Sequence, residues 1–145
     1  MFVQNWNTDI NDSIRARCYI LYANLRFQSY LNLNNIEIFR VALSRFRVSA
    51  HRLEVETGRW HKPVAVHFNE IKCRTCLNCL EDEFHFLLEC PLYHELRKTY
   101  IKSYYWKRLN MPKFIELIKT ENKIEIRNVS MFIMKSFEIR KKPLF

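Results

Sequence analysis

The 145-residue chain contains a single glycine, Gly58. Tight hairpin turns require backbone conformations with positive φ, which glycine adopts at the lowest cost. All-β folds depend on many such turns, and this chain has few places to form them. The sequence also has no internal repeat or low-complexity tract, so it favours a mainly α-helical fold.

Two amphipathic helices are predicted in the N-terminal part of the chain. Apolar residues recur every three or four positions over about 12–30, the spacing of one helix face. A second helix opens at Asn34 or Asn35 and is expected to end before or within 51–60. Its apolar face packs inward, and three basic residues are expected to point away from that face: Arg40, Arg45 and Arg47.

The centre of the chain is predicted to be irregular. Residues 61–80 have weak periodicity and read as a loop with a short strand at 64–66. Asp82 is a good N-cap for a short helix over 84–89. Proline suits a first helical turn, so Pro91 is expected to begin a longer helix that runs to about Arg108.

Two further helices are predicted at the C-terminal end. Asn110 is a cap candidate and Pro112 suits the first turn of a short helix. A last helix is expected around the apolar positions between Val129 and Phe137. The basic tail, residues 140–143, is expected to be frayed and solvated.

The composition excludes disorder and a membrane span. The chain is 48% hydrophobic and 27% charged, which is typical of one globular domain. The longest apolar run, 18–23, is far shorter than the ~20 residues that a membrane helix needs. The N-terminus has no secretory signal, and the cysteine count of five is odd. We therefore expect a reducing, intracellular compartment, either nucleus or cytoplasm.

Four potential metal ligands lie within eighteen residues: Cys73, Cys76, His85 and Cys90. Their spacing, C-x2-C-x8-H-x4-C, is typical of a tetrahedral zinc site. Two cysteines separated by two residues can bind one ion from a single turn. The short helix predicted over 84–89 can supply the other two ligands, near its start and its end. Because such a Cys₃His set leaves no open position, the predicted zinc is structural.

Three alternatives to this ligand set remain open. The Cys-x-x-Cys pair could be redox-active, although no βαβ setting of the thioredoxin kind is visible. The cysteines could also be inert packing residues. Within the metal interpretation, Cys79 or His94 could replace one of the four ligands.

The net charge of +9 points to an anionic partner. Two segments, 40–62 and 97–113, carry most of the basic residues that we predict to contact RNA or DNA. These residues are Arg40, Arg45, Arg47, Arg52, Arg59, Lys62, Arg97, Lys98, Lys102, Lys107, Arg108 and Lys113. The second segment has no acidic residue, and its aromatic residues could stack on bases.

The aromatic residues of 97–113 also have a simpler interpretation. Aromatic stripes at helical spacing usually belong to the core, so Tyr100, Tyr104 and part of Trp106 could be buried. The lysines would then form an ordinary solvated face.

The sequence argues against an enzyme. The chain has only three aspartates and no paired carboxylates suited to two-metal chemistry. It has no G-x-S-x-G motif and no phosphate-binding glycine loop. A metalloenzyme that used Glu54, Glu56 or His67 would need an open coordination position, which a Cys₃His shell does not offer.

Two segments resemble a known family. These are 46–60 (FRVSAHRLEVETGRW) and 81–97 (EDEFHFLLECPLYHELR). Over about residues 20–108 the chain is similar to the C-terminal zinc-binding region of reverse transcriptases from non-LTR (LINE-type) retrotransposons. The resemblance implies that Cys73, Cys76, His85 and Cys90 are the metal ligands and that the region holds template RNA or target DNA without doing chemistry. The chain lacks the polymerase's Tyr-x-Asp-Asp motif and any endonuclease module, so it resembles only a terminal fragment.

These observations lead to one hypothesis and one alternative. We expect one domain, 1–145, in three parts: a helical part, 12–60; a zinc-binding segment, 61–97; and basic, aromatic helices, 98–145. The expected function is non-catalytic binding of RNA or DNA, with no membrane partner. The alternative is a structural or protein-interaction zinc module, or an inactive retroelement relic.

Overall fold

The computed structural model describes residues 19–22, 28, 30–33, 36–51, 53, 71–77 and 79–141. The described residues are mainly helical and contain no strand, which confirms the predicted fold class. None of the helices in these ranges is long and apolar enough to span a membrane. Most of the predicted first helix, the predicted strand and the segment around Gly58 lie outside these residues.

The elements follow one another in a simple order. A 3₁₀ turn, Tyr19–Leu21, precedes the helices α1, Tyr30–Leu33, and α2, Glu37–Arg47. A one-turn π-helix, His85–Glu89, and a 3₁₀ turn, Pro91–Tyr93, then lead into α3. The remaining helices are α3, His94–Tyr100; α4, Ser103–Trp106; α5, Met111–Ile118; and α6, Lys123–Lys141.

Local capping signals explain where two of these elements begin. The Asp82 carboxylate accepts a hydrogen bond from the His85 amide at 2.8 Å. The Asn110 side chain accepts one from the Lys113 amide at 2.9 Å, and Pro112 follows in the first turn of α5. Both predicted caps are confirmed.

The predicted long helix after Pro91 is broken into three pieces. The chain is 3₁₀ in Pro91–Tyr93, α-helical in α3, and extended at Ile101 before α4 begins. Ile101 is buried, and its carbonyl accepts a hydrogen bond from the Trp106 indole at 2.9 Å. A break that buries the Ile101 side chain is therefore favoured over the continuous helix that the periodicity of this segment predicts.

The core is centred on Phe86, which is fully buried in the π-helix. Its ring contacts four other aromatic rings, those of Phe46, Tyr93, Phe132 and Phe137. These rings come from α2, from the 3₁₀ turn and from α6, which packs against α2 and α3. The π-helix is thus anchored to the main helices through one side chain.

Arg47 lies inside the protein, although its helical position predicts an exposed residue. It is only 4% exposed, and its guanidinium donates to the Ile118 carbonyl at 2.8 Å and to the Gln28 side chain at 2.7 Å. The guanidinium also lies over the rings of Tyr22 and Tyr30. The prediction that Arg47 faces a nucleic acid is therefore wrong.

The C-terminal end of the last helix is also more ordered than predicted. Helix α6 continues to Lys141, and Arg140 forms a two-pronged ion pair with the buried Glu81. This pair connects α6 to the segment just before the π-helix. Arg140 is not part of a frayed tail.

Candidate metal centre

The first half of the centre is a tight turn that begins at Cys73. The Leu77 amide donates to the Cys73 carbonyl at 3.0 Å, and the Cys73 amide donates to the Cys79 carbonyl at 2.8 Å. Leu77 takes a positive φ of 59°, which a residue with a Cβ adopts only at some cost. The turn brings the Cys73 and Cys76 side chains to one side of the loop.

The second half of the centre is the π-helix and the residue that follows it. Its first residue, His85, is 2% exposed and sits beside the core residue Phe86. The Cys90 amide donates to the His85 carbonyl at 2.7 Å, which closes the π-turn. Short π-helices often occur at functional sites.

The structure brings three of the four predicted ligands into one group and places the fourth, Cys90, beside Cys73. The Cys76 Sγ lies 3.4 Å from the His85 Nε2, and the Cys73 Sγ lies 3.8 Å from the Cys90 Sγ. The ligand atoms of Cys73, Cys76 and His85 are all within 4.8 Å of one another, so this group could hold a metal ion. All four described cysteines are free thiols.

The inner side of the centre is shielded from water. Cys73 and Cys90 are each 1% exposed, whereas Cys76 is half-buried. Burial raises the pKa of the Cys90 thiol to about 12, so this group is protonated when no metal is bound. Metal binding at this thiol must therefore release a proton.

A carboxylate orients the imidazole of His85. The Glu89 Oε2 lies 2.8 Å from the His85 Nδ1, one helical turn away. Carboxylates that bind the far nitrogen of a ligating histidine fix its tautomer and leave the other nitrogen free for the metal. The arrangement leaves Nε2 facing Cys76.

Arg97 supports the π-helix from inside the protein. It is 2% exposed and donates three hydrogen bonds to backbone carbonyls: Leu87 at 2.9 Å, Cys90 at 3.0 Å and Phe86 at 3.3 Å. Burial lowers the pKa of Arg97 to about 10, which still leaves it charged at neutral pH. The prediction that Arg97 contacts nucleic acid is wrong, because its guanidinium is used within the fold.

The structure also shows where the two alternative ligands, Cys79 and His94, lie. Cys79 belongs to a second group, with His85 and Glu89, whose ligand atoms lie within 4.8 Å of one another. His94 is exposed and packs edge-on against Trp106, with ring centroids 5.6 Å apart. In the described residues His94 belongs to neither ligand group.

The predicted basic residues fall into distinct environments. Arg52, Arg59 and Lys62 lie outside the described residues. Lys98 pairs with Glu95 at 3.0 Å, and Lys102 pairs with Glu125 at 2.6 Å. The others that reach the surface are Arg40, Arg45, Lys107, Arg108 and Lys113.

An exposed tyrosine accompanies the last three of these residues. Tyr104 is 53% exposed, and the Lys113 ammonium lies 4.6 Å from the centre of its ring. Within the described ranges, no carboxylate pairs with Lys107 or Arg108. The neighbouring Tyr105 is buried, so only part of the aromatic stripe belongs to the core.

Comparison with protein-family models, with curated proteins and with solved structures finds no match to this chain. The site is therefore defined by its own geometry. Sequence reasoning identified the Cys and His residues from their spacing, but missed the supporting roles of Glu89 and Arg97. The i,i+4 spacing of His85 and Glu89 was the one local signal that could have found Glu89.

Proposed function

We propose that the chain binds one structural zinc ion through Cys73, Cys76, His85 and Cys90. The interatomic separations support this assignment. In a tetrahedral site with Zn–S bonds of about 2.3 Å and Zn–N bonds of about 2.05 Å, two sulfurs lie about 3.8 Å apart. The same geometry separates a sulfur from a nitrogen by about 3.5 Å. The Cys73–Cys90 and Cys76–His85 separations of 3.8 and 3.4 Å are close to these values.

The donor types favour zinc over other common ions. Three thiolates and an imidazole are soft or borderline ligands, whereas Ca²⁺ and Mg²⁺ prefer oxygen. With four protein ligands the ion has no position for a substrate, so its role is to join the Cys73–Cys76 turn to the π-helix. Small domains gain folding free energy directly from such an ion.

We propose further that this zinc module binds RNA or DNA without catalysing a reaction. The observation that carries this proposal is the surface formed by the exposed Tyr104, Lys107 and Arg108 and the half-buried Lys113, which we call the Tyr104 surface. Cations without carboxylate partners can displace counterions from phosphates, and an exposed ring can stack on an unpaired base. The resemblance to a retrotransposon reverse transcriptase region favours the same partner.

The test is binding to labelled single-stranded DNA and to a stem-loop RNA across a salt series. Each neutralised phosphate adds about 0.7 to the slope of log affinity against log salt on single strands. The double variant Lys107→Glu and Arg108→Glu is therefore expected to flatten that slope by about 1.4.

A matched control separates a local surface from overall charge. The double variant Lys123→Glu and Arg127→Glu changes the net charge equally at two other exposed positions, on α6. We expect it to retain the wild-type slope. If both double variants changed the salt slope by the same amount, or if the zinc-loaded wild type did not bind, the nucleic-acid proposal would be contradicted. A structural or protein-interaction module would then be favoured.

A further inference from the structure

The metal centre has more thiols than a tetrahedral site needs, and the extra thiol is on its outer side. Cys79 and Cys76 are both half-buried. Cys73 and Cys90, in contrast, are each 1% exposed. A ligand from solvent can therefore approach the centre through the Cys76–Cys79 side.

The two metal-ligand groups share His85. The inner group is Cys73, Cys76 and His85; the outer group is Cys79, His85 and Glu89. The imidazole faces the inner group with Nε2, which lies 3.4 Å from the Cys76 Sγ, and the outer group with Nδ1, which lies 2.8 Å from Glu89. One side chain thus borders both groups.

From this arrangement we infer that Cys79 is an exchange ligand, through which zinc is loaded into and removed from the inner site. The inference rests on the proposed zinc site. In the exchange step, the Zn–S bond to Cys79 forms while the Zn–S bond to Cys76 breaks. The Cys79 thiol gives up its proton and the departing Cys76 thiolate takes one up, so charge and ligand number are conserved.

Glu89 assists on the exposed rim. Its carboxylate is 39% exposed and binds the His85 Nδ1, so it keeps Nε2 directed at the ion while the thiols exchange. Without Cys79, zinc bound by four protein ligands would have to lose a bond before any acceptor could reach it. An adjacent fifth donor removes that requirement.

The experiment measures how fast zinc leaves the full-length, zinc-loaded chain when an excess of a chromophoric chelator is added. We expect Cys79→Ser to slow release about tenfold, which corresponds to a rise of about 1.4 kcal/mol in the exchange barrier. Equilibrium zinc affinity, and the visible spectrum of the cobalt-substituted protein, are expected to stay at wild-type values. The control Cys76→Ser is expected to lose affinity and to change that spectrum.

Two results would overturn the inference. Release from Cys79→Ser at the wild-type rate would mean that Cys79 takes no part in exchange. A loss of affinity and a spectral change as large as in Cys76→Ser would make Cys79 a permanent ligand instead. Failure of the proposed zinc site itself is a separate outcome, because the wild-type chain would then bind no tetrahedral cobalt.

Discussion

Replacement of Arg97 by methionine tests how the π-helix that carries the candidate ligand His85 is held. Methionine has a similar length and apolar stem, but it cannot donate hydrogen bonds. The change leaves the carbonyls of Phe86, Leu87 and Cys90 without the guanidinium that they bind in the wild type. All three residues are buried, so water cannot easily replace it.

The expected loss follows from these contacts. A buried acceptor that loses its donor costs about 1–3 kcal/mol, and the two shorter bonds count most. Part of this loss is offset because the variant no longer buries a charge, a cost visible in the lowered pKa of Arg97. We expect Arg97→Met to reduce the free energy of unfolding by about 2–4 kcal/mol.

The assay is urea unfolding of the zinc-loaded chain, followed by circular dichroism. Arg108→Met is the matched control, because it makes the same substitution at an exposed position and should change stability by less than about 0.5 kcal/mol. If Arg97→Met were no less stable than Arg108→Met, the claim that Arg97 supports the π-helix would be refuted.

Three further predictions follow from the metal centre and its surroundings. Removal of zinc by a chelator is expected to lower the thermal midpoint, because ion binding contributes to folding free energy; an unchanged midpoint would contradict a structural ion. Burial alone would raise the pKa of Glu83, but hydrogen bonds from His51 and Ser49 lower it below the usual range of a glutamate. Its stabilising effect is therefore present above the pKa of an unfolded glutamate and is lost as pH falls through the lowered pKa. Glu83→Gln should therefore destabilise the chain at pH 7 and weaken the acid dependence measured by unfolding, whereas a parallel pH profile would argue against this. Leu77→Gly should stabilise the loaded protein by up to about 1 kcal/mol in thermal unfolding, because the positive φ suits glycine and Leu77 is 63% exposed; a destabilisation would mean that its φ is not strained.

Local signals predicted well those features that depend on nearby residues. The caps at Asp82 and Asn110 depend on bonds to amides three residues away, and both were predictable. The four proposed metal ligands lie close together in the chain, so their spacing alone identified them as candidates. The helical class followed from periodicity and from the single glycine.

Two of the errors concern contacts between residues far apart in the chain. Arg47 is buried because it reaches the Ile118 carbonyl, 71 residues away, and Arg140 is ordered because it pairs with Glu81. Neither partner is visible in a helical periodicity, which assigns a charged residue to the solvent face by default. The break in the predicted helix at Ile101 likewise depends on the burial of the Ile101 side chain in the core, which periodicity does not show.

The most direct test of the account is zinc X-ray absorption spectroscopy on the purified, zinc-loaded chain. We predict one ion per chain, with three sulfur neighbours at about 2.3 Å and one nitrogen at about 2.0 Å. The Cys90→Ser variant should show two sulfurs, whereas Cys79→Ser should still show three. A wild-type spectrum with only nitrogen and oxygen neighbours, or no bound zinc, would contradict the proposed centre.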